Sequence, residues 1–217
     1  MYSCLETNKD ITKLLLDYGA KVNAKNKNGD TALSIAAECD NVDTLKLLIF
    51  LSWCLWNSTK MNIKLIAIGK TDNKALHSLI DDYTKRLSFY IKFDLDIIPD
   101  IKNVKNLSES QQKEKEGELI LAKITPTDQL ILLDENGKNF SSVGFSAELQ
   151  KKMNSGVKTL VFVIGGPYGF SDTVYAKAQG KISLSLMTFS HQMVRLFFIE
   201  QLYRGFTILK NEPYHHQ

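Results

Sequence analysis

The run of residues 159–164 (Thr-Leu-Val-Phe-Val-Ile) constrains the fold of this chain most, because almost all of its side chains are apolar. A strand with one exposed face would alternate apolar and polar residues. A run that is apolar throughout predicts instead a strand buried on both faces, in the middle of a parallel sheet. We therefore expect this segment to be a central strand between two layers of helices.

The rest of the sequence after Met61 alternates between helix and strand patterns. Helices are predicted where apolar residues recur at spacings of three and four, and strands where short apolar runs end in glycine, proline or a turn sequence. This alternation predicts an α/β fold with a mostly parallel sheet. The predicted strands are residues 62–68, 93–98, 129–133, 159–164 and 182–184, and the predicted helices are residues 73–87, 109–123, 142–153, 171–177 and 191–209.

Several shorter segments are expected to connect these elements. Residues 134–137 (Asp-Glu-Asn-Gly) form a turn sequence that should end the third strand, and residues 100–110 should form a polar loop. Ser141 or Ser142 is expected to cap the third helix and Ser171 the fourth, because a serine hydroxyl can accept a hydrogen bond from the first helical turn. Residues 211–217 form a terminal tail.

The first 60 residues have a different character, since all three cysteines and both tryptophans lie there. Residues 28–37, with Asn-Gly followed by Thr-Ala-Leu, and the leucine-rich segments 11–25 and 42–49 resemble the ankyrin repeat. The resemblance covers about one and a half repeats, whereas roughly three are needed for stability. Two interpretations stay open: a fragment without a binding function, and a peptide-binding cap.

The pattern changes at residues 51–60, which show neither a helical stripe nor a strand alternation. The predicted organisation is therefore an ankyrin-repeat-like fragment at 1–50, a linker at 51–60 and an α/β domain at 61–217. Met61 immediately precedes the first strand. We take as a hypothesis that Met61 is the natural start of a free-standing protein, with the preceding residues derived from an upstream repeat gene.

Composition excludes some functional classes. The formal net charge is +3, which is a weak basic bias for a protein that binds nucleic acid, and it falls in residues 61–217 because residues 1–60 are neutral. The cysteines lack metal-ligand spacing, so no metal site is expected. Residues 1–10 are too polar for a secretory signal and the apolar run 47–56 is too short to span a bilayer, so we expect a cytoplasmic protein without a membrane partner.

The predicted final helix, residues 191–209, is apolar on nearly all sides. A helix on the surface of a monomer normally has one apolar stripe, so two apolar faces call for two partners. One partner would be the sheet of the same chain and the other a second subunit, which predicts a homodimer. The alternative is a helix that is buried within a monomer.

Three predicted strand ends carry residues that suit a ligand. Ligands of open parallel sheets bind beyond the carboxyl ends of the strands, where this chain has Leu133, Gly165 and the run after Leu184. The glycines after residue 164 allow a ligand to approach the backbone closely, although a tight structural turn explains them equally well. Among the histidines, His191 could act as a base or fix a turn, and the pair His215 and His216 could be catalytic or simply solvated.

Four longer motifs are more specific. They are Phe-Val-Ile-Gly-Gly-Pro-Tyr-Gly (162–169), Leu-Ser-Leu-Met-Thr-Phe-Ser-His-Gln-Met-Val-Arg (184–195), Glu-Gln-Leu-Tyr-Arg (200–204) and Asn-Glu-Pro-Tyr-His-His (211–216). Together they resemble the family of pseudouridine-N3 methyltransferases of 23S ribosomal RNA, the RlmH family of the SPOUT superfamily. The resemblance extends over residues 61–217. It implies a C-terminal trefoil knot, a homodimer and an S-adenosylmethionine site formed by three loops.

The resemblance also implies roles for individual residues. The side chains and backbone expected to line S-adenosylmethionine are those of Leu133, Gly165, Leu184, Ser185, Leu186, Met187, Thr188 and Phe189. Substrate placement and deprotonation are expected of Arg195, Arg204, Tyr214, His215 and His216. The implied reaction is methylation of N3 of a pseudouridine in 23S rRNA within the ribosome, without a metal.

Two other functions stay open on the sequence. In one, the chain is an ankyrin-type interaction protein that carries residues 61–217 as a fused α/β domain. In the other, the α/β domain acts on a small molecule, and free nucleosides would then be methylated. A target presented by a whole ribosome agrees with the weak net charge, because the shape of the ribosome can supply part of the recognition.

Overall fold

The structure is a computed structural model that describes residues 25–38, 42, 61–101 and 107–215. The chain divides into two units, Met1–Lys60 and Met61–Gln217. In the first unit, helix α1 (Ala32–Glu38) follows a turn in which Gly29 has a φ of 89°. The Asn26 side chain accepts hydrogen bonds from the backbone N–H groups of Asn28 and Asp30, which fixes this turn. The predicted Asn-Gly turn and following helix are thus present, and the rest of residues 1–60, except Val42, lies outside the described residues.

The second unit contains five strands and five helices among its described residues. The strands are β1 (Asn62–Ile68), β2 (Lys92–Ile98), β3 (Gln129–Asn139), β4 (Thr159–Ile164) and β5 (Gly180–Ser183). The helices are α2 (Lys74–Leu87), α3 (Glu109–Leu121), α4 (Ser142–Asn154), α5 (Asp172–Lys177) and α6 (Met193–Leu209).

The five strands form one sheet in the order β2-β1-β4-β3-β5, and every pair is parallel. Strand β4 is the middle strand, and residues 160–164 are buried, as its apolar sequence predicts. The predicted α/β fold with a parallel sheet is therefore confirmed, while the trefoil knot stays a prediction. Among the described residues, no helix is long and apolar enough to cross a membrane.

Two apolar cores cover the two faces of the sheet. One contains Leu65, Phe162 and the buried side of α6, together with residues of α2 and α4. The other contains Val161 and Val163 and is closed by Ile120 of α3 and Val174 of α5. The alternation of β4 residues between these cores explains why the whole strand is apolar.

Side-chain caps explain where three of the helices begin. Asn73 accepts hydrogen bonds from the backbone of the first turn of α2, and Ser141 does the same for α4. Ser108 and Gln111 form a reciprocal capping box at the start of α3. Ser171 does precede α5, but its hydroxyl contacts Thr173 Oγ1 at 2.8 Å and makes no capping bond.

Several predicted element boundaries needed correction, including the end of α3, which is Leu121 and not residue 123. The turn sequence 134–137 does not end β3 but forms a bulge within it, because Leu133 and Lys138 both pair with Ile182. Strand β5 begins at Gly180, two residues earlier than predicted, because the backbone of Gly180 pairs with Ile131. Helix α6 begins at Met193, so His191 lies before it in an exposed turn.

Candidate active site

Three neighbouring strand ends meet at one edge of the sheet. Leu133 pairs with Ile164, the residue before Gly165, and also with Ile182, two residues before Leu184. Because the strands are parallel, the loops that follow β3, β4 and β5 leave the sheet side by side. The structure thus brings together the three segments that were predicted from the sequence to bind the cofactor.

The glycine-rich loop after β4 is a tight turn. A Cβ added at Gly165 would lie 3.1 Å from the ring of Phe170 and 3.2 Å from the carbonyl oxygen of Gly169. Gly169 has a φ of 84°, a backbone conformation that side chains rarely adopt, and it forms a bridge with Gly166. The tight turn by itself therefore explains these glycines. That Gly165 contacts the cofactor stays a prediction.

The loop after β5 exposes apolar side chains. The Ser183 hydroxyl donates to the carbonyl of Ser185, and the Ser185 hydroxyl accepts from the backbone N–H of Met187, so a hydrogen-bonded bend begins this loop. Leu186 is 93% exposed and Met187 is 77% exposed. Thr188 is also exposed. Exposed leucine and methionine side chains beside strand ends favour a ligand or a second subunit in this place.

Phe189 extends this apolar surface onto α6. Its ring centroid lies 4.9 Å from that of Phe197, which is itself exposed on the outer side of the helix. The inner side of α6 contributes Phe198, Ile199 and Leu202 to the core. The helix is therefore apolar on its outer side as well, at least near Phe197.

Arg195 is fully buried near the amino end of α6. Its guanidinium donates hydrogen bonds to the hydroxyl of Thr71 at 2.8 Å and to the carbonyl of Ile68 at 2.6 Å. Its Nε has no hydrogen-bond partner in the described part of the chain. Burial lowers the pKa of Arg195, while the charges of Asp100 and Asp72 oppose that shift. In this structure Arg195 holds the end of β1 in place.

Arg204 lies nine residues further along the same helix, in a half-buried polar cluster. Its Nε donates to Glu200 Oε1 at 3.0 Å, and the hydroxyl of Tyr214 donates to the same oxygen at 3.0 Å. The guanidinium carbon of Arg204 also lies 4.8 Å from the centre of the Tyr214 ring. The tail thus folds back onto α6 and joins two of the predicted catalytic residues with Arg204.

The hydrogen-bonding states of this cluster follow from its contacts. Arg204 Nη1 is 3.4 Å from His215 Nδ1, and because an arginine can only donate, a hydrogen bond between them requires Nδ1 to be the acceptor. Burial, with hydrogen bonds to Tyr83 and Glu200, raises the pKa of Tyr214 above its ordinary value. Tyr214 therefore stays a neutral phenol at physiological pH and serves as a donor, not as a base. His216 lies outside the described residues.

The two arginines are not brought together. Nine residues of α-helix span roughly 13 Å. The start of α6 contacts the carboxyl end of β1. Glu200, Arg204, Tyr214 and His215 form what we call the tail cluster. Tyr203, which precedes Arg204 in α6, packs against Tyr90, and Tyr90 precedes the amino end of β2. Within this chain, the tail cluster and the loops after β3, β4 and β5 consequently lie toward opposite ends of the sheet.

Two acidic residues at these places were not identified as site residues from the sequence. Glu200 is the acceptor shared by Arg204 and Tyr214, and the spacing of four residues between Glu200 and Arg204 was a signal that could have been used. Glu116 is buried against Gly166, where a Cβ would lie 2.4 Å from its Oε2, and burial raises its pKa. Among the described residues, no His, Cys, Asp or Glu group of three or more is arranged for a metal ion.

Comparison with known families decides the class of this chain. Residues 61–215 match the model described as a predicted SPOUT methyltransferase. The chain belongs to the SPOUT methyltransferase family. The predicted resemblance and the prediction of a methyltransferase enzyme are confirmed, whereas the individual site residues stay predictions.

Curated relatives agree with this assignment over their full length. The SPOUT methyltransferase described here is 90% identical to the ribosomal RNA large subunit methyltransferase H of Flavobacterium johnsoniae over 157 residues, which are 72% of this chain and 100% of that relative. Proteins of the same name from Christiangramia forsetii and Bacteroides thetaiotaomicron are 67% and 53% identical over the same shares.

Two further matches are more distant or cover less of the chain. The SpoU methyltransferase AviRb from Streptomyces viridochromogenes, solved in complex with AdoMet, is 12% identical with a TM-score of 0.35, and the match covers 66% of this chain and 57% of AviRb. Residues 1–81 match a model of three ankyrin repeats. Residues 61–81 of that match belong to β1 and α2 of the parallel-sheet unit, so ankyrin structure does not extend past Met61.

Proposed function

We propose that this SPOUT methyltransferase transfers a methyl group from S-adenosylmethionine to N3 of a pseudouridine in 23S rRNA, within ribosomes of the cytoplasm. The observation that carries the proposal is the 90% identity to a ribosomal RNA large subunit methyltransferase over that relative's entire length. An insertion or deletion of a catalytic element is not compatible with such a match. The choice of pseudouridine rests on the four sequence motifs.

The three loops suit S-adenosylmethionine. Leu133, Gly165 and Leu184 follow one another across adjacent strand ends. The exposed side chains of Leu186 and Met187 offer apolar contacts to an adenine ring or a methionine chain. When bound, S-adenosylmethionine would supply a methyl group on a positively charged sulfur, which needs no metal for activation.

The residues of the chain then have to position the pseudouridine ring and to stabilise the anion that forms from it. The N3 proton of pseudouridine lies between two carbonyl groups, so its loss gives a delocalised anion. We assign stabilisation of this anion to the guanidinium of Arg204, which Glu200 and Tyr214 hold in place. His215, which lies beside Arg204, is our candidate for the general base.

A homodimer would bring these residues to the cofactor loops. The tail cluster lies toward the amino ends of the strands, while the loops lie at the carboxyl ends of β3, β4 and β5. Leu186, Met187, Phe189 and Phe197 form an exposed apolar surface beside the loops. We propose that a second protomer covers this surface and that its tail completes the site.

Methyl transfer to ribosomes tests the proposal. Large subunits that carry the unmethylated pseudouridine are incubated with labelled S-adenosylmethionine and the full chain, and the labelled nucleoside is identified by mass spectrometry. Labelled N3-methylpseudouridine is expected, and its loss in the variant His215→Gln with unchanged cofactor binding would support the assigned base. No label on the large-subunit RNA, or label on free nucleosides only, would exclude the proposed substrate.

A second candidate function rests on the ankyrin match to residues 1–81. The N-terminal unit could bind a protein partner while the second unit retains methyl transfer. Comparison of the full chain with a chain that starts at Met61 separates the two functions, because curated relatives consist of the 157 matching residues alone. Equal activity of both chains on ribosomes indicates that residues 1–60 are not needed for catalysis.

A further inference from the structure

A cavity of about 280 Å³ lies between helix α4 and the edge strand β5. We call it the lysine groove, because Lys138, Lys151, Lys152 and Lys181 line it together with one acid, Glu148. The side chains of Phe140 and Phe145 form part of its apolar wall. In the described part of the chain, none of the residues expected to line the cofactor lines this groove.

The lysine groove has a local excess of positive charge. Four lysines and one glutamate give its lining a formal charge of +3, and the whole chain also has a net charge of +3. The remaining charges of the chain therefore balance. A cluster of lysines on one face is the electrostatic footprint expected of a protein that binds a polyanion, even where the net charge is small.

Carboxylates neutralise little of this charge. Lys152 lies 3.7 Å from Glu148, whereas Lys138 and Lys181 lie over aromatic rings, at 4.7 Å from the centre of Phe140 and 5.3 Å from the centre of Tyr175. An aromatic ring orients an ammonium group without neutralising it. Lys138, Lys151 and Lys181 are exposed, so their charges face solvent.

We propose that the lysine groove binds the phosphate backbone of the RNA substrate, at a place separate from the cofactor loops. The inference rests on the proposed rRNA substrate and adds to it the surface by which the RNA docks. Lysines at the rim suit phosphates, and the apolar wall with Phe140 suits a base or ribose. The size of the cavity is near the lower end of the roughly 300–1,000 Å³ of small-molecule sites, which suits one nucleotide unit.

Charge also argues against a second copy of the chain in this groove. Two copies related by a two-fold axis would place the same lysines opposite one another, and like charges at an interface oppose association. The side chains of an acidic protein segment would satisfy the lysines but carry no aromatic ring to stack on Phe140. RNA satisfies both features of the groove.

The test compares two pairs of lysine substitutions with equal loss of charge. The test variant is Lys138→Gln with Lys181→Gln in the groove. The control is Lys85→Gln with Lys92→Gln, which lie in α2 and in β2 at the opposite edge of the sheet. Binding of the full chain to a labelled single-stranded oligoribonucleotide is measured across a salt series, and thermal unfolding of each variant confirms that it folds.

We expect the slope of log affinity against log salt to fall by about 1.4 in the groove variant, since each lost phosphate contact contributes roughly 0.7 for a single strand. The KM for large ribosomal subunits should rise about tenfold, with kcat and S-adenosylmethionine affinity unchanged, because fewer phosphates are held. The control variant should match the wild type in all of these measurements.

Two outcomes would overturn the inference. One is a salt slope and a KM that do not differ between the groove variant and the control. The other is a groove variant that keeps RNA binding but loses the binding to polyglutamate that the wild-type chain shows in the same salt series, which would indicate an acidic protein partner. Failure of the wild-type chain to methylate ribosomes is a different result, since it would contradict the proposed function but leave the oligoribonucleotide measurement valid.

Discussion

The two halves of helix α6 use the same residue type in opposite ways. Near the amino end, Arg195 is fully buried and donates to a backbone carbonyl and a threonine hydroxyl. Toward the carboxyl end, Arg204 is half-buried and pairs with the carboxylate of Glu200 and the ring of Tyr214. From the sequence, both arginines were expected to bind the substrate, but only Arg204 is partly exposed.

The difference lies in access and in the partners available. Arg195 and its neighbour Gln192 tie α6 to the loop after β1, since the Gln192 side chain also exchanges hydrogen bonds with Asp72. Arg204 is linked to the tail, which follows α6 and is not part of the sheet. We therefore expect substitution of Arg195 to lower mainly the stability of the fold and substitution of Arg204 to lower mainly the activity.

The largest expected effect is on the stability of the variant Arg195→Ala. The change would leave a cavity and remove the donors for the Ile68 carbonyl and the Thr71 hydroxyl. The free energy of unfolding should fall by about 3 kcal/mol, as measured by chemical denaturation. Arg195→Met fills more of the space, so a smaller loss would show how much of the effect is due to packing.

The second effect is on the activity of Arg204→Ala. If Arg204 stabilises the anion of the substrate, kcat/KM on ribosomes should fall by at least about 100-fold, while the free energy of unfolding falls by about 1 kcal/mol or less. The matched control is Arg86→Ala on α2, because Arg86 also makes an ion pair at a spacing of four residues and lies over Tyr83.

The pair of arginine variants can contradict the comparison directly. A stable Arg195→Ala protein that has lost activity, together with an active Arg204→Ala protein, would reverse the roles assigned to the two halves of α6. The Arg86→Ala control should be normal in both stability and activity. A large effect in this control would point to general damage to the packing around Tyr83.

A smaller effect is expected from Tyr214→Phe, which removes one hydroxyl and keeps the ring. Loss of the bond to Glu200 should lower the free energy of unfolding by about 1 kcal/mol at neutral pH. The pKa of Tyr214 is raised in the folded state, so the stability due to its proton is complete below the ordinary tyrosine pKa and is lost as the pH rises above it.

The difference in stability between the wild type and Tyr214→Phe should consequently narrow between about pH 9 and pH 11. Chemical denaturation across this range measures it. A difference that does not change with pH would mean that the phenol is not shielded in the folded protein, and that the tail does not pack onto α6 as described.

The smallest effect is expected from Glu116→Gln in α3, beside Gly166 of the loop after β4. Burial and the charge of Asp100 raise the pKa of Glu116, so its contribution to stability is present at acid pH and lost as the pH rises through the raised value. The variant should be more stable than the wild type by roughly a few tenths of a kcal/mol at neutral pH. Thermal unfolding at neutral pH and near pH 4 should show the gain only at neutral pH.

Much of the fold was predictable because its signals are local. The apolar run 159–164 identified the central strand, and Ser141 was one of the two serines predicted to cap α4. The bulge in β3 was not predictable, because an Asp-Glu-Asn-Gly sequence normally ends a strand. Only the return of Lys138 to pair with Ile182 shows that the strand resumes.

The site was predictable in its parts but not in its arrangement. The strand ends at Leu133 and Gly165 were predicted from the sequence to line the cofactor, and parallel pairing places them together. Glu200 was not identified, because its role depends on the return of Tyr214 from the tail. Long-range hydrogen bonds of this kind have no periodic signal in a sequence.

The sequence by itself determined the family, the parallel α/β sheet and the three loops nominated for the cofactor, because these features follow from motifs and from the periodicity of apolar residues. Only the tertiary structure decided which arginine is buried, which one joins the tail, and that four lysines share one groove. Those properties arise from contacts between residues distant in the chain. For a charged side chain, burial and thus accessibility are set by such contacts, because residue type predicts burial only for apolar residues.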